Sequence, residues 1–326
     1  MEALDALTRT RGRNRPLERK IAIVAGATRG AGRGIARALG EQGATVYCTG
    51  RTTRRTSSPM GRPETIEDTA TMVTEAGGEG IAVRVDHLKE SEVRRLVARV
   101  RREQGRLDVL VNDIWGGDRL TKWGPPFWQL SAKQGLELLE GALFTHLITA
   151  RHAAPLMVQQ GGGLIVEVTD GDAGWHRGNL YYDLAKSTVV RLAFDMAEEL
   201  KAHGVACVAL TPGFMRSEAV LDHFGVTEAR WRDAIATDPH FEFSETPLFV
   251  GRAVAALARD PNVKAMTGRL FSSWQLAKKY KLKDADGRRP DWGAHVKALM
   301  GPHLTLDEGF YRYWRGLDSF KEAMGA

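Results

Sequence analysis

Residues 20–34 read Lys-Ile-Ala-Ile-Val-Ala-Gly-Ala-Thr-Arg-Gly-Ala-Gly-Arg-Gly, an apolar run that passes directly into a glycine-rich loop. The apolar run predicts a buried strand, and the residues after the loop begin a helical pattern. Glycine lets the backbone turn tightly and lets a diphosphate approach without a Cβ in the way, and the following helix N-terminus offers free N–H groups to phosphate. The stretch therefore predicts a dinucleotide-binding loop, with a purely structural glycine turn as the alternative. The residues expected to bind are Gly26, Thr28, Arg29, Gly30, Ala31 and Gly32.

Short apolar runs alternate with longer helical patterns along the rest of the chain. The predicted strands cover residues 20–25, 45–48, 80–85, 109–111, 163–169, 205–210 and 269–272. The predicted helices cover residues 32–40, 65–76, 89–104, 132–159, 181–203 and 248–259. Continuous runs of Val, Ile and Leu are typical of strands that are buried on both faces of a parallel sheet. The alternation predicts an α/β fold with a Rossmann-type, doubly wound parallel sheet.

The composition is typical of a soluble globular protein. Of the 326 residues, 43% are apolar and 26% are charged, which argues against a disordered chain and against a disulfide scaffold. No apolar run reaches the roughly 18 residues that a membrane-spanning helix needs. Cys48 and Cys207 lie in apolar runs and are expected to be small core residues of strands. Without an export signal, the expected compartment is the cytoplasm.

Changes in composition divide the chain into three parts. Residues 1–17 carry four Arg and predict a mobile basic terminus; an arm for nucleic acid or a membrane is the alternative, but no aromatic residue is interleaved with the charges. Residues 18–274 are expected to form the Rossmann domain, in which residues 214–247 are a lid inserted after a Pro-Gly turn. Residues 275–326 are expected to be an extension that packs on the core or on a partner subunit.

The end of the second strand bears on which dinucleotide binds. An acidic residue at this place usually accepts hydrogen bonds from the ribose of NAD(H). Here the strand ends in Thr49, Gly50 and Arg51, and no carboxylate follows until Glu64. The guanidinium of Arg51 is a planar, permanently charged fork that suits a phosphate, and Arg29 can approach the same group. The sequence therefore predicts NADP(H), unless both arginines are only surface residues.

Tyr182 and Lys186 are four residues apart, so both project from one face of the predicted helix. A phenol has a pKa of about 10, and a nearby ammonium lowers this pKa by stabilising the phenolate. Such a tyrosine can donate a proton to a carbonyl oxygen or take one back. The spacing alone is common by chance, but its position after the glycine-rich loop makes it informative.

These features come in a fixed order that resembles the short-chain dehydrogenase/reductase family over about residues 18–274, and it is most similar to the branch typified by dehydrogenase/reductase member one. The resemblance implies a single Rossmann domain with about seven strands. It implies that Tyr182 is the general acid/base and that Lys186 holds the nicotinamide ribose and lowers the pKa of Tyr182. Further cofactor contacts that the resemblance implies are Asp86 with His87 at the adenine, Asn112 near the ribose, and Pro212, Gly213 and Ser217 at the nicotinamide.

Two of the departures from the family pattern concern positions at or near the catalytic residues. The family usually has a Ser twelve or thirteen residues before its Tyr, and this sequence has Asp170 or Thr169 there. Thr169 could supply the hydroxyl, whereas alignment by the strand puts Asp170 in the position. An ionised Asp accepts hydrogen bonds but cannot donate one to a carbonyl oxygen, so Asp170 would have to be protonated, or the substrate would have to carry a donor or a positive charge. The family's helical Asn is also missing; His146 could replace it or could simply pack in the core.

Aromatic residues collect where this fold builds its substrate cleft, beyond the carboxyl ends of the strands. They are Trp115, Trp123, Phe127, Trp128, Trp175, Phe214, Phe224 and Trp231. Trp115, Trp175 and Phe214 are the expected substrate contacts, and an apolar or aromatic substrate is expected; several of the others could instead fill core beneath the insertions.

The sequence therefore predicts an NADP(H)-dependent oxidoreductase that transfers hydride to or from a carbonyl or alcohol carbon, with Tyr182, Lys186, Asp170 and Thr169 as the candidate catalytic residues. A lyase or isomerase that uses Tyr182 and Asp170 without net redox chemistry is one alternative, and a non-catalytic NADP(H) sensor is another. No Cys/His cluster has the spacing of metal ligands, so no metal is expected. The expected partners are a small-molecule substrate and further copies of the chain, and neither nucleic acid nor a membrane.

Overall fold

Seven parallel strands form one sheet, in the order β3-β2-β1-β4-β5-β6-β7. The computed structural model describes residues 15–172 and 176–300. The strands are β1 Ile21–Ala25, β2 Thr45–Gly50, β3 Glu79–Arg84, β4 Val109–Asn112, β5 Gly163–Val168, β6 Val205–Thr211 and β7 Leu270–Ser272. All seven predicted strands are present, and the predicted doubly wound sheet is confirmed.

Helices connect the strands. They are α1 Gly30–Glu41, α2 Ile66–Ala76, α3 Glu90–Gln104, α4 Ala132–Leu139, α5 Thr145–Gln160, α6 Leu180–Leu200, α7 Glu218–His223, α8 Pro247–Arg259, α9 Ser273–Tyr280 and α10 Trp292–Met300. The helix predicted over residues 132–159 is interrupted by a π-helical turn at Glu140–Phe144, which separates α4 from α5. The short 3-10 helices are Asp118–Leu120, Phe127–Gln129, Lys201–His203, Glu228–Ala236, Pro239–Phe243 and Val263–Met266.

Each face of the sheet is covered by its own hydrophobic core. Successive side chains of a strand point to opposite faces, and β1 divides accordingly: Val24 packs in one core with Ile35 of α1, whereas Ile23 packs in the other with Leu96 of α3. This burial of both faces is the reason that the strands read as continuous apolar runs. Both free cysteines are buried strand residues, as the sequence predicted.

The two ends of the chain extend the domain in different ways. Most of the predicted mobile terminus, residues 1–14, lies outside the described residues, but Leu17 is already fully packed in a core. At the other end, α9 begins directly after β7, and Trp292 of α10 packs against Phe214. The described part of the extension, residues 275–300, therefore packs on the core, and residues 301–326 lie outside the described part. Among all described residues of the chain, no helix has the length and hydropathy to cross a membrane.

A buried arginine joins the segment 214–247 to the extension. The Arg216 guanidinium is fully buried and pairs with Glu228 at 2.8 Å, donates to the Ser244 carbonyl at 2.8 Å, and lies 3.6 Å from Asp286. It also stacks over the Trp231 ring, 4.2 Å from the ring centroid. A buried charge is tolerated only when it is paired in this way, so these partners anchor the segment to the extension.

Next to this network lies a buried carboxyl group whose protonation affects stability. Glu245 Oε2 accepts from Ser273 Oγ at 2.6 Å, and among the described residues Oε1 has no hydrogen-bond partner. Burial raises the pKa of Glu245 from its ordinary 4.5 to about 8. The folded protein therefore favours the neutral carboxyl group.

We predict that Glu245→Gln makes stability less dependent on pH. Because the folded pKa lies above the unfolded pKa, the contribution of Glu245 is fully present below about pH 4.5 and is lost as pH rises through about 8. Between pH 5 and 8 the wild-type protein should lose about 1–3 kcal/mol more unfolding free energy than Glu245→Gln. Urea unfolding at several pH values measures the difference, and parallel curves for the two proteins would contradict the prediction.

Candidate active site

A cavity of about 680 Å³ lies at the carboxyl ends of the parallel strands. Its volume lies in the range of about 300–1,000 Å³ that is usual for ligand sites. The predicted site residues that line it are Gly26, Thr28, Arg29, Gly30, Ala31, Arg51, Asp86, His87, Trp115, Thr169, Asp170, Tyr182, Lys186, Pro212, Gly213, Phe214 and Ser217. Trp175 lies outside the described residues. The cavity therefore brings most of the predicted site together.

The glycine-rich loop forms one wall and has the shape that a dinucleotide requires. Gly26 adopts φ +89°, and a Cβ there would lie 2.2 Å from the Asp113 carbonyl oxygen. Gly30 has φ +56° and lines the cavity; the nearest neighbour of a Cβ at this position would be Ser217, 4.0 Å away. Side chains at these glycines would either clash or fill the cradle, so the loop fits a bound diphosphate.

A carboxylate from α7 lies at the N-terminus of α1. The Gly30 N–H donates to Glu218 Oε2 at 2.8 Å, and Arg33 Nη1 lies 3.3 Å from Glu218 Oε1. Helix α1 has no acidic residue in its first turn and no side-chain cap from Arg29, so Glu218 satisfies an N–H group that phosphate would otherwise use. The sequence analysis missed this contact. The sequence did offer one signal for it: an acidic residue directly follows Ser217, and Ser217 is the N-cap of α7.

Arg29 and Arg51 also line the cavity, together with Ser58, Pro59 and Met60 from the polar insertion after β2. Arg51 is exposed at the end of β2. Glu64, the first carboxylate after this strand, accepts from Arg62 Nε at 2.9 Å. Its charge is therefore already compensated, and the environment of Arg51 suits an anion.

The catalytic candidates meet around Asp170, which follows β5. The Tyr182 hydroxyl donates to Asp170 Oδ2, and Lys186 Nζ lies 3.2 Å from Asp170 Oδ1. Arg177, which the sequence analysis did not single out, has its Nη1 3.0 Å from Asp170 Oδ2. The Lys186 ammonium also lies 3.9 Å from the ring centroid of Trp115. One carboxylate is thus shared by a phenol and two cations.

This arrangement changes the expected protonation states. Burial raises the pKa of Asp170, but Lys186, Arg177 and the Tyr182 hydrogen bond outweigh it and hold that pKa below its usual range. Asp170 is therefore ionised, and the protonated form considered from the sequence is wrong. Burial and the Asp170 charge raise the pKa of Tyr182 above its usual value. The expectation that Lys186 lowers this pKa is not met, because Lys186 pairs with Asp170.

Thr169 does not take the position of the family serine. Its hydroxyl donates to the Lys186 carbonyl oxygen at 2.7 Å and accepts from the Gly171 N–H at 3.1 Å. The side chain is buried and joins the end of β5 to α6. Asp170, not Thr169, therefore faces Tyr182.

Asn112 was expected near the ribose but is fully buried and does not line the cavity. Its Nδ2 donates to Glu167 Oε1 at 2.7 Å. His146 Nδ1 lies 2.6 Å from Glu167 Oε2, and its Nε2 lies 3.1 Å from the Ile114 carbonyl oxygen. Asn112 therefore belongs to a buried network under the site, and His146 connects that network to the segment after β4.

Two further expected cofactor contacts have structural roles. Both ring nitrogens of His87 lie beside hydroxyl groups, Thr49 at 2.9 Å and Thr149 at 2.8 Å. Burial lowers the pKa of His87 to about 3, so the ring is neutral and engaged. Gly32 lies against the loop, where a Cβ would be 2.4 Å from the Gly26 carbonyl oxygen; it lets α1 approach β1 and does not line the cavity.

The aromatic residues divide into two groups. Trp115 and Trp123 pack on the Tyr182 ring, with centroids 5.4 and 4.9 Å away, and Phe214 lines the cavity. Trp292 of α10 also lines it, and no local sequence signal indicated this. The other four described aromatic residues do not line the cavity, and for two of them the alternative of a core position holds. They are Phe224 and Trp231, which pack within the segment 214–247, and Phe127 and Trp128, which are exposed.

Comparison with known proteins agrees with this geometry. The short chain dehydrogenase family matches residues 20–223. The chain belongs to this family. The mouse protein named dehydrogenase/reductase SDR family member 1 is 38% identical over 278 residues, which cover 84% of this chain and 85% of that protein. The human protein of the same name is 36% identical over 283 residues, with the same two coverages.

Solved structures show that this short-chain dehydrogenase has the family fold. An Escherichia coli hydroxysteroid dehydrogenase has a TM-score of 0.65 at 22% identity, covering 80% of this chain and 97% of that chain. A 7α-hydroxysteroid dehydrogenase, solved with NADH and 7-oxo glycochenodeoxycholic acid, has a TM-score of 0.62 at 24% identity, covering 79% of this chain and 94% of that chain. Family membership makes the chain an oxidoreductase of a family that uses nicotinamide cofactors.

We predict that Glu218→Gln strengthens phosphate binding at the N-terminus of α1. The change removes a negative charge that competes for the Gly30 N–H, and a charge at a helix N-terminus contributes up to about 1 kcal/mol. The dissociation constant for ADP should fall about fivefold, as measured by calorimetric titration. Glu199→Gln, an exposed glutamate on α6, is the control and should leave the constant unchanged. Weaker ADP binding by Glu218→Gln would show that Glu218 supports the loop instead of competing with the anion.

Proposed function

We propose that this short-chain dehydrogenase is an NADP(H)-dependent oxidoreductase. It transfers hydride between the nicotinamide and the carbon of a polar double bond, such as a carbonyl. The substrate is a small apolar or aromatic compound. One observation carries the proposal. Tyr182 and Lys186, one helical turn apart on α6, meet the carboxylate of Asp170 in the same cavity that contains the glycine-rich loop.

The residues that line the cavity fall into groups that suit different parts of the cofactor. Residues 26–31 would hold the diphosphate, Arg29 and Arg51 the additional phosphate of NADP(H), and Asp86 the adenine. Pro212, Gly213 and Ser217 would hold the nicotinamide, which when bound supplies or accepts the hydride. Gly213 must lack a side chain here, because a Cβ would lie 2.8 Å from that of Trp292.

The chain's own residues would manage the proton and exclude water. Tyr182 keeps a proton on Oη, since its pKa is raised, and can pass it to a substrate atom that replaces Asp170 as acceptor. Lys186 and Arg177 keep Asp170 ionised and fixed beside that hydroxyl. Trp115, Phe214 and Trp292 supply an apolar wall, which strengthens the electrostatic interactions inside the site.

Two features of the wider molecule enter the proposal. Segment 214–247 would act as the lid, since its α7 contacts the phosphate loop through Glu218. The chain would form a homo-oligomer in the cytoplasm, as expected from the sequence, through the face formed by α4–α6. The large apolar side chains exposed there are Leu136, Phe144, Leu147, Leu180 and Leu184.

The Tyr182–Asp170 hydrogen bond also favours a second candidate function. A phenol and a carboxylate that share a proton could catalyse a lyase or isomerase reaction without net redox chemistry. The two candidates differ in one measurable quantity, because only the oxidoreductase consumes NADPH in proportion to product.

We predict that Arg51→Gln weakens NADPH binding but not NADH binding. Losing a guanidinium–phosphate interaction costs about 1.5–3 kcal/mol, so the dissociation constant for NADPH should rise about tenfold or more. Fluorescence titration measures both cofactors. Arg54→Gln is the matched control, because Arg54 is exposed in the same insertion and pairs with Asp68 instead. An equal loss for both cofactors, or none for either, would remove the reason to prefer NADP(H).

We predict that Tyr182→Phe stops turnover while NADPH binding stays intact. Loss of a general acid/base lowers kcat by about 100-fold or more, whereas Tyr182 is not among the proposed phosphate or adenine contacts. Initial rates with NADPH and a panel of ketones, aldehydes and imines provide the measurement. Tyr181→Phe, the neighbouring residue on α6, is the control and should retain activity. Undiminished turnover by Tyr182→Phe rejects the mechanism.

A further inference from the structure

A ketone oxygen bound beside Tyr182 would need a second hydrogen-bond donor. At that position the protein instead has the ionised carboxylate of Asp170. We propose that the reacting group of the substrate is a C=N group, an imine or iminium in an apolar ring compound, and not a ketone. The inference rests on the proposed oxidoreductase function and names its substrate class.

The carboxylate itself gives the first reason. Asp170 is held ionised by Lys186 at 3.2 Å and Arg177 at 3.0 Å, and it already accepts from the Tyr182 hydroxyl. A carboxylate can only accept hydrogen bonds. During reduction a ketone oxygen gains negative charge, which a neighbouring carboxylate repels. A protonated imine instead offers an N–H donor and a positive charge to the same oxygen.

The charges around Tyr182 give a second reason. The cavity there is lined by three cations, and each of them already has a carboxylate partner: Arg119 with Glu137, Arg177 with Asp170 and Asp183, and Lys186 with Asp170. Among the described residues, two lining carboxylates have only neutral donors in contact. Asp118 accepts from Trp115 Nε1 at 2.5 Å, and Asp172 accepts from the Thr211 hydroxyl at 3.2 Å. Burial and the Asp170 charge raise the pKa of Asp172 to about 6. Above that pH, this end of the cavity has an excess of negative charge that suits a cation.

The aromatic wall gives a third reason. Trp115 lines the cavity with its ring already 3.9 Å from the Lys186 ammonium, and Trp292 and Phe214 line the same space. Aromatic faces attract organic cations within about 6 Å of their centroids, Trp most strongly. Carboxylates and indole rings in one cavity together suit a cationic ring compound.

The chemical step balances with the cofactor class that the proposed function names. The iminium carbon gains a hydride from reduced nicotinamide, the π electron pair of the C=N bond becomes the nitrogen lone pair, and a neutral amine results. A neutral imine would also take the Tyr182 proton onto nitrogen as the C–H bond forms. An iminium that arrives protonated needs no proton from Tyr182, so the loss of turnover in Tyr182→Phe is expected for ketones, aldehydes and neutral imines.

A binding experiment tests the charge preference without any turnover. Tetrahydroisoquinoline is an ammonium ion near neutral pH, and isochroman is a neutral compound of the same shape. In calorimetric titrations the wild-type protein should bind the ammonium about tenfold or more tightly than isochroman, and Asp170→Asn should remove this preference. Asp195→Asn, the same charge change on the exposed part of α6, should preserve it. Equal affinity for the two compounds in the wild-type protein overturns the inference.

A turnover experiment separates this inference from the proposed function. Dihydroisoquinoline and tetralone have the same bicyclic shape, and NADPH oxidation is followed with each. The expected result is a kcat/KM at least tenfold higher for the imine, with the preference reduced or reversed in Asp170→Ser, whose NADPH affinity verifies that it is folded. Faster reduction of tetralone overturns the imine assignment and leaves the oxidoreductase standing. If tetrahydroisoquinoline binds tightly but neither dihydroisoquinoline nor tetralone causes NADPH oxidation, the proposed oxidoreductase function is overturned and the cationic ligand class stands.

Discussion

Parallel pairing of all seven strands is the constraint on which the rest of the molecule depends. Because every strand runs in the same direction, every strand ends at one edge of the sheet, and the loops that follow them meet there. The glycine-rich loop after β1, Arg51 after β2 and Asp170 after β5 are distant in sequence, yet they line one cavity. Both faces of the sheet are buried by helices, so the edge is the place where polar side chains can collect without disturbing a core.

The chemistry at that edge depends on how a carboxylate is accommodated beside a phenol. Asp170 keeps its charge because Lys186 and Arg177 compensate the cost of burying it, and the charge in turn keeps the proton on Tyr182. The Tyr-Lys spacing of the family is therefore present, but the lysine is engaged by the acid Asp170. This is the physical reason to expect a substrate that brings its own proton or positive charge.

Segment 214–247 and the C-terminal extension complete the cavity from the other side. Arg216 is the buried link between them, and Trp292 closes over Gly213 at the turn after β6. Helix α7 begins next to this turn, and its Glu218 reaches the N-terminus of α1. The phosphate loop and the proposed lid are consequently in direct contact, so that an anion at the loop would have to displace a side chain of the lid.

The sequence alone determined the fold, the glycine-rich turn between β1 and α1 and the spacing of Tyr182 and Lys186. These features depend on local patterns: apolar runs of strand length, glycines at a strand-to-helix turn, and a four-residue helical spacing. Only the tertiary structure decided that Asp170 and not Thr169 faces the tyrosine, that Asn112 is buried, and that Arg177, Glu218 and Trp292 reach the cavity. Neighbouring residues at the end of a strand can point in opposite directions, and contacts between distant segments leave no local pattern. Their positions depend on how helices and loops pack around the shared edge, which periodicity does not encode.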